Sequence, residues 1–216
     1  MDTPITYPMR PLNGGNLDKP NAIVPPAPSA WEGKGNGWRL TVHVPSGTCF
    51  NRHNEPLTIS DEFKPALKLL QRSPFQWLDC EGLSRRHGIG KGSLIVLDII
   101  DLHETPYDQR HETVARYFPM PLNHPLWVSE NGLYHFPAIV NDGRYRDVPG
   151  FLVRDFDRWP RAEWEALKHQ NAQMNPASPE NSFWEGLVRK TLKSKYTLQL
   201  RSDHEETTAW TKHRFV

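Results

Sequence analysis

Residues Ser93-Leu94-Ile95-Val96-Leu97-Asp98-Ile99-Ile100 are apolar on both faces of any strand they form. Such a run needs cover above and below, so it predicts a strand buried in the centre of a domain. A chain of 216 residues is long enough to supply that cover within one domain. With 24% charged and 37% hydrophobic residues, the composition is that of a globular chain and excludes disorder. The net charge of +1 excludes a uniformly basic surface, so any anion-binding face must be a local patch. Cys49 and Cys80 lack metal-ligand spacing and are too few for a disulfide framework. No apolar run approaches the roughly 18 residues of a membrane span, and no signal peptide is seen. The expectation is therefore a cytoplasmic, membrane-free protein.

Around the central run the chain reads mostly as strands. Residues 1–30 are rich in Pro, Asn and Gly and read as an extended lead-in lying on a domain that spans 31–216. Trp38, Leu40, Val42 and Val44 alternate with Arg39, Thr41 and His43, as in a half-buried strand that returns through Pro45-Ser46-Gly47 to a second strand at Thr48–Arg52. Asp61 to Arg72 reads as a helix with Phe63, Leu67 and Leu70 inward. Phe75 to Gly82 reads as a short strand. Thr105 is the expected N-cap, and Pro106 the first position, of a helix ending near Phe118. A strand is expected near Leu133–Val140, with a turn at Asn141–Arg144. A helix is expected from Pro160 to about Met174 with Trp164 and Leu167 inward, then a loop at Asn175–Ser182. The remainder reads as strands at Phe183–Lys190, Tyr196–Arg201 and Thr207–Phe215. Arg110 and Arg116 read as helix-surface charges. The pairs His103-Glu104 and His111-Glu112 offer no second metal ligand at helical spacing.

One segment carries candidate chemistry: Trp31-Glu32-Gly33-Lys34-Gly35-Asn36-Gly37-Trp38-Arg39. A lysine between glycines is ordinarily a solvated loop residue. The sharper reading is a nucleophile, because glycines let backbone approach a phosphate and a lysine beside other cations or away from water can attack as the free amine. Four further short motifs follow in order. These are Phe50-Asn51-Arg52-His53, Leu78-Asp79-Cys80-Glu81, Glu185-Gly186-Leu187-Val188-Arg189-Lys190 and Trp210-Thr211-Lys212-His213-Arg214, with the central strand Leu94–Ile100 between the second and third. Together they resemble the covalent nucleotidyltransferase superfamily, the ATP-dependent DNA and RNA ligases and mRNA capping enzymes. The resemblance runs from Glu32 to Arg214. The family usually has Asp or His where this chain has Asn36, an aromatic where it has Leu97, and a second lysine where it has Arg214.

The resemblance implies an α+β fold: a ligase-type nucleotidyltransferase (ATP-grasp-like) domain of two antiparallel sheets flanked by helices, with a nucleotide cleft between them. It implies ATP as substrate and Mg²⁺, or Mn²⁺ in its place, as cofactor. Lys34 would take AMP from ATP, pass it to a 5′-phosphate, and a 3′-hydroxyl would then displace it to seal a nick in DNA or RNA. Lys190, Lys212 and Arg214 would clamp phosphates, and Glu185 and Glu81 would hold the metal. Glu32, Arg39, Arg52 and Leu97 would line the nucleotide site. The bland alternatives are an exposed strand carboxylate for Glu185, a pairing of Glu81 with Arg85 or Arg86, and a solvated edge for Lys212 and Arg214. Arg85, Arg86 and Lys91, in a glycine-bearing basic loop, are candidate nucleic-acid contacts. The chain is expected to be a monomer without a C-terminal OB-fold domain, whose part a partner protein would otherwise supply. Two other readings stay open: a capping-type guanylyltransferase, and a non-catalytic nucleic-acid-binding relative. The Glu-Gly-Leu-Val-x-Lys motif favours the ligase.

Overall fold

The computed structural model describes residues 6–25, 28–83, 92–118, 128–129, 132–133, 138–140, 152–155, 161–174, 182–201 and 206–216. In chain order these form β1 (Pro11–Gly15), β2 (Ser29–Gly35), β3 (Trp38–His43), β4 (Thr48–Asn51) and β5 (Pro56–Leu57). A 3-10 turn at Asp61–Phe63 leads into α1 (Lys64–Leu70), then β6 (Trp77–Leu83), β7 (Ser93–Ile99) and α2 (Tyr107–Tyr117). A small hairpin, β8 (Val128–Ser129) and β9 (Gly132–Leu133), precedes β10 (Ala138–Val140), β11 (Leu152–Asp155), α3 (Arg161–Met174), β12 (Trp184–Thr191) and β13 (Thr207–Arg214). None of the described helices is long and apolar enough to cross a membrane.

Two sheets organise these strands. The first runs β1-β13-β12-β2-β11 and the second β10-β7-β6-β3-β4-β5. All their pairings are antiparallel except that of β1, which adds to β13 in parallel. The lead-in therefore contributes a strand of its own. β7 has the predicted central character: Leu94, Ile95, Val96 and Ile99 are at most 1% exposed. Outside the second sheet, Phe63, Ala66 and Leu70 of the 3-10 turn and α1, and Val114 of α2, pack with Leu40, Val42, Leu78 and Val96. Each such aliphatic or aromatic side chain contributes roughly 1.5–3 kcal/mol when fully buried. Trp164 and Leu167 of α3 pack with Trp31 and Leu187 of the first sheet.

Several expectations are corrected. β3 is covered on both faces, since Thr41 and His43 are buried as well as Leu40, Val42 and the adjoining Val44. Its first residue, Trp38, is instead 57% exposed. Lys34 stands on β2, paired with Gly186 of β12, and not in a loop. Pro106 caps α2 with an extended ψ of 147°, and Thr105 lies outside. Residues 196–201 form no strand beyond a single bridge between Tyr7 and Gln199. The expected strand at Leu133–Val140 is divided between β9 and β10. Arg110 is fully buried, because Asp98, next to last in β7 and itself buried, needs a partner. Its guanidinium donates to both Asp98 oxygens at 2.8 and 2.9 Å and to the Ser194 carbonyl at 3.0 Å. The loop at Arg85–Lys91, the turn at Asn141–Arg144 and the loop at 175–181 lie outside the described residues.

Candidate active site

The chain changes sheets within two residues. β2 ends at Gly35 in the first sheet and β3 begins at Trp38 in the second, so Asn36 and Gly37 span the junction. Asn36 is buried there: its backbone N–H donates to the Phe183 carbonyl at 2.9 Å, and its side-chain amide to the Ser182 carbonyl at 3.0 Å. A carboxylate could accept only, so the departure to Asn suits a site that faces carbonyls. Gly37 donates its N–H to Glu81 Oε1 at 3.1 Å. A Cβ at Gly37 would stand 2.5 Å from the Gly82 carbonyl oxygen, which explains the glycine by close approach alone.

The junction places Lys34 at the mouth of a cleft. Pro11, Glu32, Gly33, Lys34, Gly35, Val188, Lys190, Trp210 and Lys212 line it from the first sheet, and Arg39, Glu81 and Leu97 from the second. Across from Lys34, β12 carries a bulge between Trp184 and Gly186. Glu185 is the extra residue, and a bulge re-aims the side chain at its apex. Gly186 has φ +148°, and a Cβ there would lie 2.0 Å from the His213 carbonyl oxygen, so only glycine fits. The result is a 2.5 Å contact between Lys34 Nζ and Glu185 Oε2, with Arg214 Nε 3.3 Å from the same oxygen.

Deeper in the cleft the same two strands make a second pair of reversed polarity. Lys190 Nζ lies 2.8 Å from Glu32 Oε2 and donates to the Leu97 carbonyl at 2.9 Å. It sits 4.0 Å from the centroid of the Trp210 ring and 4.9 Å from that of Tyr107. Tyr107 donates its hydroxyl hydrogen to Glu32, and His111 Nδ1 approaches Glu32 at 3.7 Å. Arg39 forms a two-armed pair with the buried Asp79, which also accepts from the Tyr196 hydroxyl at 2.6 Å. Tyr196 in turn accepts from the Met9 N–H at 3.1 Å.

The structure thus brings together Glu32, Lys34, Arg39, Glu81, Leu97, Lys190 and Lys212 as lining, with Glu185 and Arg214 joined through Lys34. Lys190, expected as a phosphate clamp, is 1% exposed with its Nζ 2.8 Å from Glu32. Arg52 is not brought in: it lies exposed in the turn after β4, its Nε 3.0 Å from His53 Nε2. Arg85, Arg86 and Lys91 are outside the described residues. Sequence reasoning assigned no role to Asp79, Tyr107, Tyr196, Trp210 or Pro11. Asp79 had a signal, since it stands two residues before Glu81 and so shares its strand face. Trp210 lines the same cleft as Leu97, but it is 1% exposed and its ring carries Lys190 at 4.0 Å and Arg39 at 5.2 Å.

Burial pushes the Glu81 carboxyl up to about 7, against the pull of Lys34 and Arg39. Burial also opposes ionisation of Glu185, but Lys34 and Arg214 outweigh it and hold that carboxyl below its usual range. Burial draws the Lys212 ammonium below the usual lysine range, and Glu206, 3.6 Å away, opposes this. Glu185 raises Glu81 in turn, so the two carboxylates sense each other's charge. Among the described residues no group of three or more His, Cys, Asp or Glu could hold a metal ion alone. Two carboxylates nevertheless fit a hexahydrate-prone Mg²⁺, which is held by one or two carboxylates together with substrate phosphates.

No protein-family model matches the sequence, and no curated protein does. Solved structures do. One named Pmar-Lig_Pre is matched over 97% of this chain and 47% of its own length, at 13% identity and a TM-score of 0.51. A mycobacterial DNA ligase D complexed with ATP and MES is matched over 97% of this chain and 60% of its own, at 18% identity and a TM-score of 0.49. A structure from a study of DNA binding with a minimal scaffold in Lig E DNA ligases is matched over 95% and 68%, at 12% identity and a TM-score of 0.49. The chain thus spans roughly half to two thirds of the structures it matches. At these identities the likeness is one of fold.

Proposed function

From the ligase-type nucleotidyltransferase fold that this chain carries, we propose that it is the adenylyltransferase core of an ATP-dependent polynucleotide ligase. The observation that carries the reading is the Lys34 amine, 2.5 Å from Glu185 in a cleft to which both sheets contribute. The Lys34 nitrogen forms a bond to the α-phosphorus of ATP as the α–β phosphoanhydride breaks and pyrophosphate leaves. Glu185, hydrogen-bonded to Nζ but held below its usual carboxylate range, orients the amine, and the proton that Nζ gives up leaves to solvent. A 5′-phosphate oxygen then attacks the adenylate phosphorus and Lys34 departs as the amine. A 3′-hydroxyl finally attacks that 5′-phosphorus and releases AMP.

The residues' own parts are electrostatic, as expected for phosphoryl transfer. Lys212 and Arg214, on alternate positions of β13, face the phosphates. Arg39, fixed by Asp79, lies on the ribose side. Leu97 bounds the base, over a floor in which Lys190 and Glu32 pair and Trp210 is buried. Glu185 and Glu81 would hold Mg²⁺, or Mn²⁺, which supplies charge neutralisation on the phosphates when bound.

The test is incubation with labelled ATP and Mg²⁺ followed by denaturing electrophoresis. Label that survives denaturation and disappears in Lys34→Ala is the expected result. Labelling from GTP alone would assign a guanylyltransferase. A protein that binds polynucleotide but takes no label from either would be a binding relative. Nicked DNA, nicked RNA and hybrids then identify the strand that is sealed.

A further inference from the structure

Trp31, Trp164, Trp184 and Trp210 are at most 1% exposed, whereas Trp38 is 57% exposed. Its place explains why no described residue covers it. In the β3–β6 register Trp38 stands opposite Gly82, which has no side chain to lay over the indole. On its other flank, β4 pairs with β3 only as far as Asn51 opposite Leu40, and the chain then turns through Arg52 and His53. Both are exposed and lie at the same end of the sheet as Trp38. Asn51, at the base of that turn, binds Glu55 through its amide at 2.7 Å, which occupies the acid nearest in sequence. By strand alternation Trp38 lies on the face of the second sheet that carries Leu40 and α1, opposite the face on which its neighbour Arg39 lines the cleft.

The geometry points to Trp38 as a base-stacking platform for the polynucleotide, at the end of the second sheet and on its face away from the cleft, with the Arg52–His53 turn taking the adjoining backbone phosphate. A flat aromatic face offers every base the same contact, and a neighbouring cation supplies the phosphate's counter-charge. The inference rests on the ligase reading for the identity of the partner and assigns it a surface outside the nucleotide cleft. It also gives Arg52, which the structure keeps out of that cleft, a different partner from the one first expected.

The experiment is fluorescence anisotropy with a labelled, 5′-phosphorylated nicked duplex and with single strands of DNA and RNA, across a salt series. Trp38→Ala is expected to weaken binding about tenfold. Its salt slope stays that of wild type, because stacking releases no counterion, and its covalent labelling at Lys34 is unchanged. Trp38→Phe retains most of the affinity. Arg52→Ala lowers the salt slope by about one. Trp38→Ala binding like wild type overturns the proposal. So does wild type that binds none of these strands, or a concentration-dependent dimer in sedimentation that Trp38→Ala abolishes. Loss of lysyl-AMP with Trp38-dependent binding intact would sink the ligase reading and leave this one standing. Normal labelling with Trp38-independent binding would do the reverse.

Discussion

Two lysine–glutamate pairs join β2 to β12, and they differ in almost everything except chemistry. Lys34 and Glu185 meet at the cleft mouth with side chains 18% and 24% exposed. Glu32 and Lys190 meet two residues deeper along β2, with the charges exchanged between strands and side chains 3% and 1% exposed. The deep pair is fixed by the Tyr107 hydroxyl, the Leu97 carbonyl and the Trp210 ring. The mouth pair has Arg214 at 3.3 Å and otherwise faces open cleft. A buried, fully partnered pair cannot exchange its partner for a phosphate without leaving a bare charge. A partly exposed pair can. The contrast separates a fixed pair from an exchangeable one although the residue types are identical.

Lys34→Ala should break the contrast most completely. Covalent labelling falls to background, because no other amine stands at that place, while folding free energy in a denaturant titration changes by less than about 1 kcal/mol. Glu32→Gln tests the other pair. It leaves the Lys190 ammonium buried without its counter-charge, and chemical denaturation should register a loss of about 3–5 kcal/mol. Equal stability losses in the two variants would erase the distinction. Glu185→Ala, at the mouth, should reduce the rate of labelling about 10²- to 10³-fold in single-turnover measurements, with little change in the denaturation midpoint.

How much of this was legible in the sequence follows from the range of the interactions. β7 was legible because its run is apolar on both faces, and β12 and β13 because they alternate. The double cover of β3 was not, since Thr41 and His43 are polar and the two-residue period assigns them to solvent. Nor was the Asp98–Arg110 pair, because a helix surface and a buried partner look alike until β7 and α2 are packed. At the site, the order of short motifs marked Lys34, Glu81 and Glu185. What it could not mark is which lysine is free to act. That depends on the β2–β12 register, which sets Glu32 opposite Val188 and puts Lys190 within diagonal reach. Tyr107 begins α2 and Tyr196 opens the stretch read as a strand, but neither pattern says that its hydroxyl reaches a buried carboxylate of the site.

Glu81 extends the comparison to pH. Its carboxyl titrates near 7 in the folded chain against a usual 4.5, so protonation stabilises the native state. That contribution is fully present below about pH 4.5 and is lost as pH rises through about 7. Glu81→Gln keeps the neutral shape at every pH. The stability of wild type should therefore decline relative to the variant between those values and run parallel to it outside them. A constant difference across the whole range would mean that Glu81 is as ionised in the fold as in water.

Arg214→Ala should have the smallest effect and gives the finest test of the mouth pair. Arg214 is 43% exposed and its Nε lies 3.3 Å from the oxygen that Lys34 already holds at 2.5 Å. Solvent screens such a contact, so its removal should cost less than about 1 kcal/mol of stability. Its effect on labelling should be smaller than that of Glu185→Ala, because Lys34 keeps its hydrogen bond to the carboxylate and only the second cation is lost. If both variants slow labelling equally, Arg214 contacts the phosphates as strongly as Glu185 holds the amine, and the mouth is a three-membered unit in which Lys34, Glu185 and Arg214 act together.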